Sequence, residues 1–181
     1  DTLLVFMTDN GTARGATFGD YRGNDTPLKS GYNARMRGRK GSPFEGGHRV
    51  PCLVHWPGGK YRARDIGGLT AHVDLMPTLL EICGLPRTYG RHYDGFSLRR
   101  VFEGTYEPPL GRVLITHHQE LRDPEKYRFA CVMQGSWRLI LRNDRPAVPP
   151  AAAPARAAAA TVNPQPPTVE LYDVVSDPGQ T

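Results

Sequence analysis

Apolar residues along this chain fall into short runs separated by polar, glycine-rich stretches. The first run, "LLVFM" at Leu3 to Met7, is continuous and rich in strand formers, the pattern of a strand buried on both faces of a parallel sheet. A second, "VPCLVHW" from Val50 to Trp56, carries Pro51 at its leading edge, where a missing N–H is tolerable. The long glycine-rich connection between them has no evident elements of its own, and such loops in compact domains are usually functional or disordered. The stretch "HVDLMPTLLEICGLP", residues 72–86, then predicts a helix. Asp74 serves as N-cap and Pro77 falls in the first turn, where its missing donor costs little. Leu75, Leu79, Ile82 and Cys83 form an apolar stripe widened by Leu80, and Gly84 and Pro86 end it. Strand, loop, strand, helix is the order of an α/β domain.

After Pro108 the pattern changes to strands alone. "RVLITHH", "FACVMQG", "SWRLILR" and "VELYDVV" are strand candidates, the second and third separated only by a turn at Gly135 and Ser136. The first three lack a helix for parallel crossovers, so a small antiparallel sheet is expected. Within this part lies "RPAVPPAAAPARAAAATVNPQPP", whose alanines favour helix but whose prolines interrupt it, and which offers no large apolar residue to bury. It reads as a mobile surface insertion at residues 146–167. The expected fold is therefore α/β: part of a mixed, mainly parallel sheet flanked by helices over residues 1–108, followed by a small antiparallel C-terminal sheet over 109–181.

Length and composition narrow this picture only slightly. A chain of 181 residues buries one substantial core, with or without a small appendage. No apolar run approaches the roughly 20 residues that cross a bilayer as a helix. The first residues lack a basic segment, a cleavage site and an initiating Met, so the chain reads as beginning inside a structural element and says nothing of compartment. Cys52, Cys83 and Cys131 are odd in number and widely spaced, which argues against a disulfide framework or a Cys-rich zinc site and for buried small hydrophobes. The net charge of +5 suits an anionic substrate or a nucleic acid and decides little by itself.

Candidate chemistry concentrates at two places. Just past the first strand stand Asp9 and Asn10, where ligands collect at the carboxyl ends of parallel strands. A carboxylate beside an amide carbonyl offers hard oxygen donors of the kind Ca²⁺ or Mg²⁺ prefers, although Asp-Asn-Gly is also ordinary turn chemistry. Two donors do not fill a shell of six or more, so further ligands must come from elsewhere. The second place is "RMRGRKGSPFEGGHRVP", residues 35–51. Its glycines allow backbone to approach a ligand, and Arg39 and Lys40 bring charge that meets an anion. The run Arg35, Arg37, Arg39, Lys40 equally suits phosphate backbones, but no aromatic platform interleaves with it, which weakens single-strand binding.

"TDNG" after an apolar strand, "RKGSPFEGGHRVPCLVHWPGG", "HVDLMPTLLEICGLP", "YDGFSLRRVFEG" and "VELYDVVSDPG" together resemble, in order, the C-terminal portion of a sulfatase of the arylsulfatase type, in the alkaline-phosphatase-like superfamily. The resemblance implies a sulfuric ester hydrolase with a large mixed α/β sheet and a smaller antiparallel one. It implies that Asp9 and Asn10 ligate a divalent cation, Ca²⁺ with Mg²⁺ as the alternative, and that Lys40 contacts the sulfate of a sulfated small molecule or glycan. The family's nucleophile is a formylglycine made from the Cys or Ser of a Cys-x-Pro-x-Arg motif, and its hydrated aldehyde attacks sulfur. "CGLPR" at Cys83 to Arg87 comes nearest but has its proline one residue late. The nucleophile, the other metal carboxylates and the catalytic histidine and lysine belong to the family's N-terminal half. The chain is thus expected to be a fragment or a degenerate remnant, to contain no catalytic residue and to be inactive alone. The resemblance favours a periplasmic or extracellular setting.

Two alternatives stay open. One is a phosphate or phosphonate monoester hydrolase of the same superfamily. The other is a non-catalytic polyanion-binding fragment using Arg35, Arg37 and Arg39; a nucleic-acid partner is not expected. Of the remaining polar residues, adjacent His117 and His118 point to opposite faces of an extended strand, so one at most lines a given pocket. His48 and Glu45 read as structural, His72 precedes the helix, and Trp56 and Trp137 read as packing residues.

Overall fold

The computed structural model describes residues 2–13, 34, 36–59, 61–86, 92–118, 126–142 and 166–181. Arg35, Arg87 and residues 146–165 of the Pro/Ala insertion lie outside the described residues. The chain divides into two compact units, residues 1–10, 50–114 and 133–136, and residues 11–49, 115–132 and 137–181.

In the first unit, β1 (Leu4–Met7) pairs with β2 (Cys52–His55) in an antiparallel register running from Leu4 opposite His55 to Met7 opposite Cys52. This corrects the expectation of a mixed, mainly parallel sheet flanked by helices. Among the described residues the sheets are one of two strands and one of four, both small and antiparallel. An apolar run reports how much of a strand avoids water, and carries no information on the direction of its neighbour. Nor are these strands buried on both faces: Leu4 and Phe6 are each 59% exposed and Leu53 is 65% exposed. Cross-strand partners share a face, so Leu4, His55, Phe6 and Leu53 line one side of the ribbon.

A 3₁₀ turn (His72–Asp74) leads into α2 (Leu75–Ile82), which follows α1 (Glu45–His48) in chain order. Its end is the predicted one. Leu85 N–H bonds to the Leu80 carbonyl at 2.8 Å and Gly84 N–H to Glu81 at 3.2 Å, with Gly84 at φ +66, which is a Schellman closure. The buried side is not the predicted stripe. Leu79 and Cys83 are exposed, and Leu75, Leu80 and Ile82 are half-buried, whereas Pro77 and Thr78 are buried. A hydroxyl explains the difference. Thr78 Oγ1 donates to the Asp74 carbonyl at 2.6 Å and accepts the Leu98 N–H at 2.8 Å, just before α3 (Arg99–Phe102), whose Val101 is buried.

Asp74 is fully buried and does more than begin a helix. Its carboxylate accepts the N–H groups of Ala71 at 2.8 Å and Phe96 at 3.1 Å. It also holds Arg112 by two bonds, Nη1 to Oδ2 at 2.8 Å and Nη2 to Oδ1 at 2.7 Å. The guanidinium lies over the Phe96 ring, 4.5 Å from its centroid, and donates again to the Leu69 carbonyl at 2.9 Å. One acid thus ties its own segment, residues 69–74, to Phe96 and Arg112, and it makes no side-chain bond to the amides of α2 itself.

The four strand candidates after Pro108 all form: β3 (Val113–His117), β4 (Ala130–Gln134), β5 (Trp137–Arg142) and β6 (Thr168–Asp173), in the order β3-β4-β5-β6. β5 and β6 lie in the second unit and pair antiparallel from Trp137 opposite Asp173 to Arg142 opposite Thr168. Buried Phe44, Cys131, Ile140 and Val174 supply apolar packing in that unit. Only one of the three cysteines is buried as expected. Cys52 and Cys83 are exposed, while burial pushes the Cys131 thiol up to about 12.

Removing one partner of a buried ion pair strands the other. Asp74→Ala is therefore expected to cost about 3–5 kcal/mol, read as a lowered midpoint in denaturant unfolding. The double variant Asp74→Ala/Arg112→Leu should recover part of that loss; a single variant as stable as the parent would contradict the anchoring role.

Candidate functional site

Asp9 and Asn10 follow directly on the end of β1, where the chain leaves the ladder. Thr8 Oγ1 donates to the Asn10 carbonyl at 3.1 Å, and Asn10 Nδ2 donates to Asp9 Oδ2 at 2.7 Å. The structure thus brings these two side chains together. The bond orients the amide, because with Nδ2 engaged toward the carboxylate the Asn10 Oδ1 is the atom left to act as a donor to a ligand. The strand end is tied down from outside as well: His72 Nε2 donates to the Thr8 carbonyl at 3.1 Å, which fixes the proton on that nitrogen. The pair offers carboxylate and amide oxygens, the donor type that fits Ca²⁺ or Mg²⁺. It falls short in number. Among the described residues no three His, Cys, Asp or Glu side chains are grouped to hold a metal.

Lys40 belongs to the second unit, and its backbone is closely specified. Ser42 N–H bonds to the Arg39 carbonyl at 2.8 Å, closing a four-residue turn with Lys40 second and Gly41, at φ +83, third. A type II turn requires that positive φ at its third position, which glycine takes without strain. Lys40 therefore sits at a turn corner, half-buried. The turn rests on the segment following Asn10: Lys40 N–H bonds to Thr12 O at 3.1 Å and Gly11 N–H to Gly47 O at 2.9 Å.

The glycines here bring backbone against backbone, where the sequence suggested a close approach to ligand. A Cβ on Gly11 would fall 1.9 Å from the Gly46 carbonyl oxygen, and one on Gly46 would fall 2.3 Å from that of Gly38. These atoms belong to main chain and have no side-chain freedom with which to yield.

The basic residues beside Lys40 are turned to packing. Arg39 is 2% exposed. The Arg37 guanidinium lies 3.9 Å from the Phe44 ring centroid and donates to Tyr172 Oη at 2.8 Å and the Gln180 carbonyl at 2.7 Å. Neither forms a solvated face for a polyanion, which counts against the binding-fragment alternative. Glu45, also buried, takes Arg138 Nε at 2.6 Å and Arg49 Nη1 at 3.2 Å, while its N–H bonds to Gln180 Oε1 at 2.9 Å. His48 Nε2 donates to the Pro43 carbonyl at 3.1 Å, and burial lowers its pKa despite the nearby Glu45 charge. Both residues hold the loop, as their sequence context suggested.

His117 is exposed and His118 half-buried, with the His118 N–H bonded to Phe129 O at 3.2 Å. Trp56 packs edge-on to Tyr61, at 5.5 Å between centroids, but Trp137 is 52% exposed. Sequence reasoning missed Gln180 and Arg138 altogether. An isolated polar residue after a turn and an arginine in an alternating strand carry no local signal of burial.

Comparison with known proteins bears on the chain as a whole. The sequence profile of the family described as Sulfatase matches residues 1–85. Human arylsulfatase A is 31% identical over 188 aligned positions, covering 99% of this chain and 32% of that protein. The solved structure of Ps i-CgsB in complex with k-i-k-neocarrahexaose matches with a TM-score of 0.60 and 26% identity, over 99% of this chain and 31% of the other. That of BT4656, in complex with its substrate D-glucosamine-2-N,6-O-disulfate, matches with a TM-score of 0.52 and 18% identity over 75% and 24% of the two chains; at that identity it supports the fold alone. The chain thus spans about a third or less of the length of the proteins it matches.

The Glu170 carboxylate of β6, which faces Arg37 of the loop, also predicts a pH dependence. Burial alone would raise the Glu170 carboxyl, but the Tyr172 hydrogen bond and the Arg142 and Arg37 guanidinium groups outweigh it and hold the pKa below its ordinary 4.5. The unfolded chain then binds more protons than the folded one as pH falls. This contribution to stability is complete above pH 4.5 and lost below it, as pH descends through the folded value. Glu170→Gln should flatten that part of a stability-versus-pH curve, and an unaltered curve would show that the cluster does not govern it.

Proposed function

The chain belongs to the sulfatase family, and from that premise we propose that it forms part of a sulfuric ester hydrolase, supplying Asp9 and Asn10 to a divalent-cation site and Lys40 to the sulfate of the substrate. The observation that carries this reading is the Asn10 Nδ2 to Asp9 Oδ2 bond of 2.7 Å at the end of β1. It orients two hard oxygen ligands at a strand end, with Ca²⁺ the expected ion and Mg²⁺ the alternative. When bound, the ion offsets charge on the sulfuryl oxygens.

The chain's own residues have narrower tasks. Asp9 and Asn10 hold position for the ion through the Thr8 and His72 bonds behind them. Lys40 presents a compact ammonium whose three protons are able to meet sulfate oxygens. A charge held by a turn that is already folded is worth more to a developing anion than one that must be ordered during reaction. The nucleophile, with its formylglycine, lies in the N-terminal half of such enzymes, and this chain is assigned no catalytic residue. Sulfated sugars are the proposed substrate class; a sugar ligand, k-i-k-neocarrahexaose, is named for the Ps i-CgsB structure. A phosphate or phosphonate ester presents the same tetrahedral anion, and paired assays on matched sulfate and phosphate esters separate the two.

The test belongs in the whole protein that contains this chain. Asp9→Ala should lose bound calcium and activity together. Lys40→Ala should keep the calcium and lose roughly 10²–10³ in turnover, by analogy with removal of one preorganised donor to an oxyanion. Unchanged metal content and turnover in both variants would rule the assignment out.

A further inference from the structure

The last residues of the chain return to the loop that carries Lys40. Gln180 is fully buried, an unusual setting for a glutamine. Its two acceptors face two different parts of the loop. The backbone carbonyl takes Arg37 Nη1 at 2.7 Å, and the side-chain Oε1 takes the Glu45 N–H at 2.9 Å. Arg37 precedes Lys40 by three positions and Glu45 follows it by five, so one residue grips the loop on either side of the lysine. Gly46 N–H bonds back to the Arg37 carbonyl at 2.8 Å, closing the two gripped flanks onto each other.

Gln180 is itself held in an unfavourable conformation. Its φ is +50, a region that residues with a Cβ enter at a cost and occupy where their surroundings over-determine them. The determinants are visible. Gln180 N–H bonds to Asp177 O at 3.1 Å, and Thr181 N–H bonds to Asp177 Oδ2 at 2.9 Å. The Gln180 Nε2 is buried with no hydrogen-bond partner among the described residues.

We propose that Gln180 is a positioning residue for Lys40, acting through Arg37 and Glu45 to fix the turn that presents the lysine. The inference rests on the sulfate-binding role of Lys40 given above. Gln180 touches no substrate in this scheme. Its contribution is to remove slack from a charge whose usefulness depends on where it stands, and misplacement on the order of 1 Å costs about 10²-fold in rate.

Two substitutions in the whole protein test this. Gln180→Met keeps the volume and removes the side-chain acceptor of the Glu45 amide, leaving the backbone carbonyl that Arg37 holds; Gln180→Glu keeps an oxygen for the Glu45 amide. Hydrogen exchange across residues 38–47 and kcat/KM on a sulfate ester are read for each, alone and in a Lys40→Ala background. Gln180→Met should speed exchange in the loop by roughly tenfold or more and lower kcat/KM about 10- to 100-fold, with Gln180→Glu restoring a large part of both. In the Lys40→Ala background the Met substitution should cost almost nothing further, because the group it positions is gone. Unchanged loop exchange in Gln180→Met, or a rate loss that persists undiminished without Lys40, would overturn the proposal. Full turnover by Lys40→Ala would instead sink the sulfate-binding reading, while exchange decides independently whether Gln180 orders the loop.

Discussion

A buried carboxylate that must find partners on several sides constrains the second unit more than any apolar contact. Glu45 is 1% exposed. An ionised side chain in that position is costly unless other charges and donors surround it. Arg138 of β5 supplies one oxygen with its Nε, Arg49 supplies the other, and the Glu45 amide is met by Gln180 from the far end of the chain. Each partner can reach only if its own segment is in place. The charge thus converts local errors in β5, the loop or the terminal residues into an exposed or unpaired ion, which acts as a penalty on every alternative arrangement. Phe44, fully buried next to it, has no comparable power to discriminate, since apolar surface is satisfied by any apolar neighbour.

Asp74 plays the same part in the first unit, with Arg112 as its principal partner and two backbone amides filling the remaining lone pairs. Buried ion pairs are poor sources of net stability because desolvation offsets most of the attraction. Their value here is in specification. The described apolar core is small, and β1, β2 and α2 leave Leu4, Phe6, Leu53 and Met76 largely exposed. A core of that kind defines a register weakly, and two-stranded ribbons are marginal by themselves. Directional pairs such as Asp74 with Arg112 fix which segments meet.

This division explains what could be read from the sequence. Features set by local chemistry were legible: the stop at Gly84, the strands after Pro108 and the role of His48 and Glu45 in holding the loop. Features set by a distant partner were not. The direction of β2 against β1 is one, because a continuous apolar run looks the same from either end. The buried face of α2 is another, for its periodicity marked the leucines while Thr78 and Asp74 were claimed by Phe96, Leu98 and Arg112. Cys83 was expected inside on the same reasoning and is exposed. At the candidate site, the Asp9 and Asn10 side chains are adjacent as their spacing suggested. The bonds that brace the strand end from His72, and the grip of Gln180 on the loop, depend on tertiary neighbours and left no local trace.

The loop also shows how a basic sequence run can mislead about function. Arg37, Arg39 and Lys40 look interchangeable as positive charge, yet the fold treats them differently because of where Gly38 and Gly41 bend the chain. Arg37 is drawn between Phe44 and Tyr172, where a planar guanidinium stacks on one ring and bonds to the other's hydroxyl, a task for which an ammonium is poorly shaped. Arg39 is enclosed. Lys40, at the turn corner, is the member whose compact, strongly hydrated charge suits a tetrahedral anion rather than a packed interior. Under the role proposed for Lys40, Arg37 would serve anion binding indirectly, by holding the loop through Phe44, Tyr172 and Gln180 so that the lysine's charge stays where it is placed. Rigid support beneath a loop-borne group is the general condition for precise binding chemistry on loops, and in this chain that support is assembled from buried charge.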